Sequence, residues 1–104
     1  MTESEYHQLA DETLQKIEAI LDDTDADVDY DRVSGGVLEI RFRDKSVIVI
    51  NKQTPMRELW IAAKAGGYHY AWKDGAWHNT REGGEFLADL SRFASAQAGE
   101  TINF

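Results

Sequence analysis

The run Asp25-Ala26-Asp27-Val28-Asp29-Tyr30-Asp31-Arg32, the turn Ser34-Gly35-Gly36 and the run Val37-Leu38-Glu39-Ile40-Arg41-Phe42-Arg43 together decide the fold. Aspartates occupy every second position from 25 to 31, and Leu38, Ile40 and Phe42 repeat the same period beyond the glycines. A period of two sends alternate side chains to opposite faces of a strand. Two such runs joined by a short turn pair antiparallel. The first strand, read from Asp25 to Arg32, therefore has one acidic face, and the second has one apolar face.

Upstream the period lengthens. Tyr6, Leu9, Ala10, Leu14, Ile17, Ile20 and Leu21 recur at spacings of three and four, which predicts a helix over residues 3–23. Thr2 or Ser4 can cap it, and acids in its first turn suit the helix dipole. Downstream, Asp44-Lys45 is short enough to be a hairpin loop into a strand over 46–51. Thr54, held extended by Pro55, marks a connection rather than a helix. Residues 56–63 fit helix or strand by pattern. Gly66-Gly67 breaks the chain before a strand over 68–73, and Asp74-Gly75 turns it into another over 76–78. Phe86, Leu87, Leu90, Phe93 and Ala94 mark a second helix over 85–98. Helix, five or six short strands, then helix predicts an α+β fold. It is a two-layer α-β sandwich with both terminal helices on one face of an antiparallel sheet. Residues 1–104 read as one domain without repeats or linkers.

Hydrophobic residues make up 42% of the chain, enough for a packed core. A domain this small has little room for an enclosed active-site cavity. No apolar run approaches the ~18 residues of a membrane span, and the acidic N-terminus is unlike a signal peptide. The lack of cysteine rules out disulfides, thiolate metal sites and thiol nucleophiles, and fits the reducing cytoplasm. The net charge of −8 is unevenly spread: residues 1–31 hold eleven acids and one base, Lys16, and the rest hold eight acids and ten bases. Phosphate would be repelled by such an N-terminal surface, which argues against nucleic acid and anionic membranes. Metal cations and basic proteins remain as partners.

On a helix turning about 100° per residue, His7, Asp11, Glu18 and Asp22 share an arc of roughly 60° beside the apolar face. Asp22, Asp23 and Asp25 carry the carboxylates onward, and Asp27, Asp29 and Asp31 continue them along the strand. Solubility alone needs no such clustering, and alternate strand positions, ~6.5 Å apart, concentrate the repulsion. Carboxylate oxygens suit hard cations: calcium, magnesium, manganese or iron. A calcium-binding loop of the EF-hand kind wants glycine at its sixth position and glutamate at its twelfth. Starting from Asp23, Asp25 or Asp27, those positions hold Val28 and Ser34, Tyr30 and Gly36, or Arg32 and Leu38. Shallow, water-rich sites follow instead of one cage, with His7 as a further candidate ligand. His69 and His78, near aromatics in strand regions, read as packing or surface residues.

Hydrolase elbows, phosphate loops, dinucleotide fingerprints and the H-E-x-x-H zinc motif are all missing. Glu18 and Asp22, on an exposed ridge, lack the enclosure that tunes an acid–base pair. The chain therefore reads as a binding protein and not an enzyme.

Residues 50–70, Ile-Asn-Lys-Gln-Thr-Pro-Met-Arg-Glu-Leu-Trp-Ile-Ala-Ala-Lys-Ala-Gly-Gly-Tyr-His-Tyr, resemble the signature of the frataxin family. The resemblance extends to the opening S-E-Y-H-x-L-A-D, to L-D-D at 21–23 and to A-G-E-T near the end. It implies a frataxin-like α-β sandwich that binds ferrous and ferric iron weakly and regulates iron–sulfur cluster assembly. Carried over by position, the iron ridge is Glu18, Asp22, Asp23, Asp25, Asp27, Asp29 and Asp31, with Glu3 and His7 nearby. The resemblance implies docking of this ridge, Glu18, Asp22, Asp23 and Asp25 above all, on a cysteine desulfurase. It places Asn51, Gln53 and Trp60 on a sheet surface facing the scaffold protein, although Trp60 by pattern alone reads as core. It further implies a monomer that can oligomerise with iron. The chain departs from many bacterial relatives at Ala19, where they carry a second acid. Two other functions fit the acidic surface: an iron store or ferroxidase, and a metal-independent adaptor for basic proteins. The ferroxidase would need paired E-x-x-H motifs, and none occurs.

Overall fold

The computed structural model describes all 104 residues. Helix α1 (Glu3–Asp23) is followed by six strands, β1 (Val28–Ser34), β2 (Val37–Phe42), β3 (Val47–Gln53), β4 (Glu58–Ala63), β5 (Gly66–Lys73) and β6 (Ala76–Asn79), and then by α2 (Phe86–Ala98). Each strand pairs antiparallel with the next, so order in the sheet equals order in the chain. Both helices lie on one face. Leu38, Ile40, Ile48, Ile50, Leu59, Ile61 and Tyr70 meet Tyr6, Ala10, Leu14 and Ile17 of α1 and Phe86, Leu90 and Ala94 of α2 in one buried cluster. The short dimension of 19 Å is the depth of one helix layer on one sheet. This is the α+β two-layer sandwich that the periodicities predict, with six strands.

The first helix begins where its apolar period begins. Thr2, not Ser4, caps it: Thr2 Oγ1 accepts the Glu5 N–H at 3.1 Å, and Glu5 Oε1 accepts the Thr2 N–H at 3.0 Å. These bonds to Thr2 hold the Glu5 carboxyl below its ordinary range.

Two expectations need correction. Strand β1 starts at Val28 and not at Asp25, because the backbone between the helix and the strand is tied up locally. Thr24 Oγ1 accepts the Ala26 N–H at 3.3 Å, and the Val28 N–H donates to Ala26 O at 3.0 Å. Asp25 and Asp27 therefore sit in a connection, outside the ladder. Thr54, expected to be extended in a connection before Pro55, instead opens one turn of 3-10 helix over Thr54–Met56. Pro55 is tolerated at the start of that turn, where its missing N–H is not needed. Arg57, at φ 55°, closes the turn with its N–H and its guanidinium both on Thr54 O. The ambiguous segment that follows is β4: Leu59 and Ile61 enter the core while Trp60 faces away.

Helix α2 buries two polar residues within its apolar stripe. Asp89 accepts the Tyr70 hydroxyl at 2.8 Å and an Arg92 N–H at 3.3 Å. Burial, together with the carboxylate beside it, pushes the Tyr70 phenol well above its ordinary range. Gly84 makes room for that pair, since a Cβ there would lie 2.7 Å from Asp89 Oδ2. Gln97 accepts the Lys64 N–H at 3.0 Å and donates to Ser46 Oγ at 3.0 Å and to Val47 O at 3.3 Å. One amide thus ties the β2–β3 and β4–β5 turns to the end of α2.

Replacing Gln97 with Ala leaves the Lys64 N–H and the Val47 carbonyl without this partner, and unfolding free energy should fall by ~1–3 kcal/mol. Exposed Gln15→Ala should change it by less than ~0.5 kcal/mol. Denaturant melts compare the two, and equal effects would contradict the tie.

Candidate functional site

The acidic residues occupy two environments that their spacing does not distinguish. One group has partners supplied by the fold, most of them cationic. Lys52, on β3, follows Ile48 and Ile50 in register and so points toward the helices. Its Nζ donates to Asp11 Oδ1 at 2.7 Å, with only 10% of the side chain exposed. Arg32, on the same inner face of β1, donates to Glu18 Oε1 at 2.7 Å and to Gly35 O at 3.1 Å, which links α1 to the β1–β2 turn. The Tyr30 hydroxyl donates to Asp22 Oδ1 at 2.5 Å. That hydrogen bond, made to a negative charge, pushes the Tyr30 phenol up to about 12. Glu3 lies 3.7 Å from His7.

On the opposite face of β1, Asp29 and Asp31 stand across from Arg41 and Glu39. Arg41 reaches Asp31 at 3.1 Å and Glu39 at 3.4 Å. The expected uncompensated row of four strand aspartates is therefore corrected to two, with Arg41 among them. The second group is Asp23, Asp25, Asp27 and Asp29. All four are exposed, and none has an ion-pair or side-chain hydrogen-bond partner. They cluster along the chain at the corner where α1 passes into β1. No three His, Asp or Glu side chains converge closely enough to hold one ion.

The other candidate residues lie on the sheet face without helices. Asn51, Trp60 and His69 stand in one row across β3, β4 and β5, and Gln53 pairs with Glu58 beside them. The Trp60 indole donates to Glu58 Oε1 at 2.8 Å and stacks on the His69 ring at 4.0 Å between centroids and 8° between planes. Trp60 is therefore a surface residue and not a core one. His78, opposite Ala71, also belongs to this face.

Sequence reasoning passed over Lys52, Arg41 and Tyr30 as partners of the acids. A signal for Lys52 was present, since it continues the inward period of Ile48 and Ile50. No sequence spacing could have identified which carboxylate it meets, 41 residues away.

A six-stranded meander with two terminal helices on one face, an acidic corner and a bare opposite face defines the class: a one-sided α-β sandwich. Residues 1–100 match the frataxin-like domain, and the chain belongs to the frataxin family. It is 52% identical over 104 residues to the iron-sulfur cluster assembly protein CyaY of Paraburkholderia xenovorans, covering all of this chain and 98% of that one. It is 45% identical over 102 residues to the CyaY of Dechloromonas aromatica, covering 98% and 97%. The solved frataxin of Psychromonas ingrahamii superposes with a TM-score of 0.92 at 40% identity, covering 99% of this chain and 97% of that one. A trimeric frataxin from Saccharomyces cerevisiae, complexed with ferrous ion, shares the fold at 21% identity and a TM-score of 0.71, covering 96% and 88%.

The raised phenol of Tyr30 gives a pH signature. A group whose pKa is raised by folding keeps its contribution below its unfolded value, near 10, and loses it as pH climbs through the folded value of about 12. Asp22→Asn should move the Tyr30 titration, followed by ring NMR signals, down toward the ordinary range. An unmoved titration would mean that Asp22 is not its cause.

Proposed function

We propose that this chain binds iron weakly at its acidic corner and regulates iron–sulfur cluster assembly in the cytoplasm by docking on a cysteine desulfurase and its scaffold protein. The observation that carries this reading is the set of four exposed, unpartnered aspartates, Asp23, Asp25, Asp27 and Asp29, beside a set that the fold neutralises. The curated relatives named as iron-sulfur cluster assembly proteins support the pathway, and the yeast relative complexed with ferrous ion supports the metal.

The donors fit iron in type. They are carboxylate oxygens, which ferrous and ferric ions accept as hard ligands. With no converging triad, each ion keeps most of its water, and affinity is low. Asp11, Glu18 and Asp31 would first have to release Lys52, Arg32 and Arg41, and Asp22 its Tyr30 donor, so they rank behind the free four as ligands. Glu3 and His7, one turn apart on α1, form an outlying pair. The desulfurase meets the same corner through Glu18, Asp22, Asp23 and Asp25, where basic side chains and cations compete for one field. Asn51, Gln53 and Trp60 form the scaffold-facing patch on the open sheet. The protein is monomeric until iron bridges copies.

The same lack of a three-ligand cluster favours a second reading, a metal-independent acidic adaptor for a basic protein.

Two measurements test the proposal. Asp23→Asn/Asp25→Asn/Asp27→Asn should weaken desulfurase capture by ~10-fold or more, while Asp74→Asn, on a distant turn, leaves it unchanged. Anaerobic Fe(II) titration should move backbone NMR signals of residues 23–29 in the wild type and spare them in the triple variant. Shifts confined to His78 and α2 would overturn the iron assignment, and equal capture of all variants would overturn the docking assignment.

A further inference from the structure

The two edges of the sheet are not equivalent. At the β6 edge the loop into α2 folds back: the Asn79 N–H donates to Gly84 O at 2.7 Å, and His78 forms a bridge with Glu85. At the β1 edge nothing does. Outside its ladder with β2, the backbone of residues 29–34 takes part in no hydrogen bond. Its outward N–H and C=O groups are free along most of a seven-residue strand. Such an edge is a template for another strand unless it is blunted.

The residues of this edge determine what can pair with it. A second copy of the chain laid antiparallel would bring Asp29 and Asp31 against their own counterparts, and like charges opposite each other are unfavourable. The bulge between Arg32 and Ser34 shortens the edge further. An extended segment with Lys or Arg at alternate positions meets the opposite field. Its basic side chains stand on the Asp29 and Asp31 face, and its intervening residues lie beside Val28 and Tyr30.

We infer that β1 accepts an extended basic segment of a partner protein as a seventh strand of the sheet. This rests on the reading that a basic protein docks at the acidic corner, and it adds the mode of docking: backbone hydrogen bonds supply affinity, and alternate charges supply selection.

The test uses the full chain and the peptide Lys-Thr-Lys-Val-Lys-Thr-Lys, with two counterparts N-methylated at alternate residues along one backbone edge or the other. Charge is the same in all three. The parent should bind and slow amide exchange at alternate residues of β1, and at least one counterpart should bind ~10-fold more weakly. Equal binding of all three would overturn strand addition and leave an electrostatic contact. No binding of the parent, with desulfurase capture intact, would overturn strand addition while the docking reading stands. Failure of both would overturn both.

Discussion

Each strand gives alternate side chains to a single apolar layer, covered by two helices and, at Ile102, by the chain beyond α2. Leu38 and Ile40 on β2, Ile48 and Ile50 on β3, and Leu59 and Ile61 on β4 are all essentially fully buried. A slip of one residue would turn any of these pairs toward solvent, so one-sided burial fixes the register. The same register sends Trp60 to the bare face and aligns it with Asn51 and His69. It also sends Lys52 inward, where a buried ammonium needs a carboxylate and Asp11 provides it. The open face and its aromatic row are thus consequences of where the core lies.

The acids divide according to the same geometry. Those on α1 that overlook the sheet, Asp11, Glu18 and Asp22, find Lys52, Arg32 and Tyr30 on the inward faces of β3 and β1. At the last residue of α1 and in the connection beyond it, Asp23, Asp25 and Asp27 are left without counter-charges. Arg41 relieves Asp31 but leaves Asp29 unpaired. The unpaired carboxylates are thereby concentrated at one corner, where they are exposed to solvent.

Much of this was legible in the sequence. The limits of α1 followed from the spacing of Tyr6, Leu14 and Leu21, and three hairpins followed from Gly35-Gly36, Asp44-Lys45 and Asp74-Gly75. Gly66-Gly67, read as a break before the strand, instead pairs inside β5, and the β4–β5 turn falls at Lys64-Ala65. The acidic surface was visible in bulk, and residues 50–70 carried the family resemblance because they hold both the inward β3–β4 residues and the outward Asn51, Gln53 and Trp60. The start of β1 was not legible, since a Thr24–Ala26 turn interrupts a perfectly alternating run. Ion partners were hidden because they join residues 10 to 41 apart through tertiary packing. Asp89 and Gln97 were hidden because a polar residue in an apolar stripe gives no sign of what it will meet.

The unpaired carboxylates Asp23, Asp25 and Asp27 at the corner between α1 and β1 should repel one another at a cost in stability. The direct measurement is melting temperature against sodium chloride, from about 0.01 M to about 0.15 M, over which the screening length falls from about 30 Å to about 8 Å. The wild type should become more stable across that range. A variant with Asp23, Asp25 and Asp27 changed to Asn should start higher and respond less. A wild-type melting temperature that stays flat or falls, with the variant no more stable, would contradict the claim.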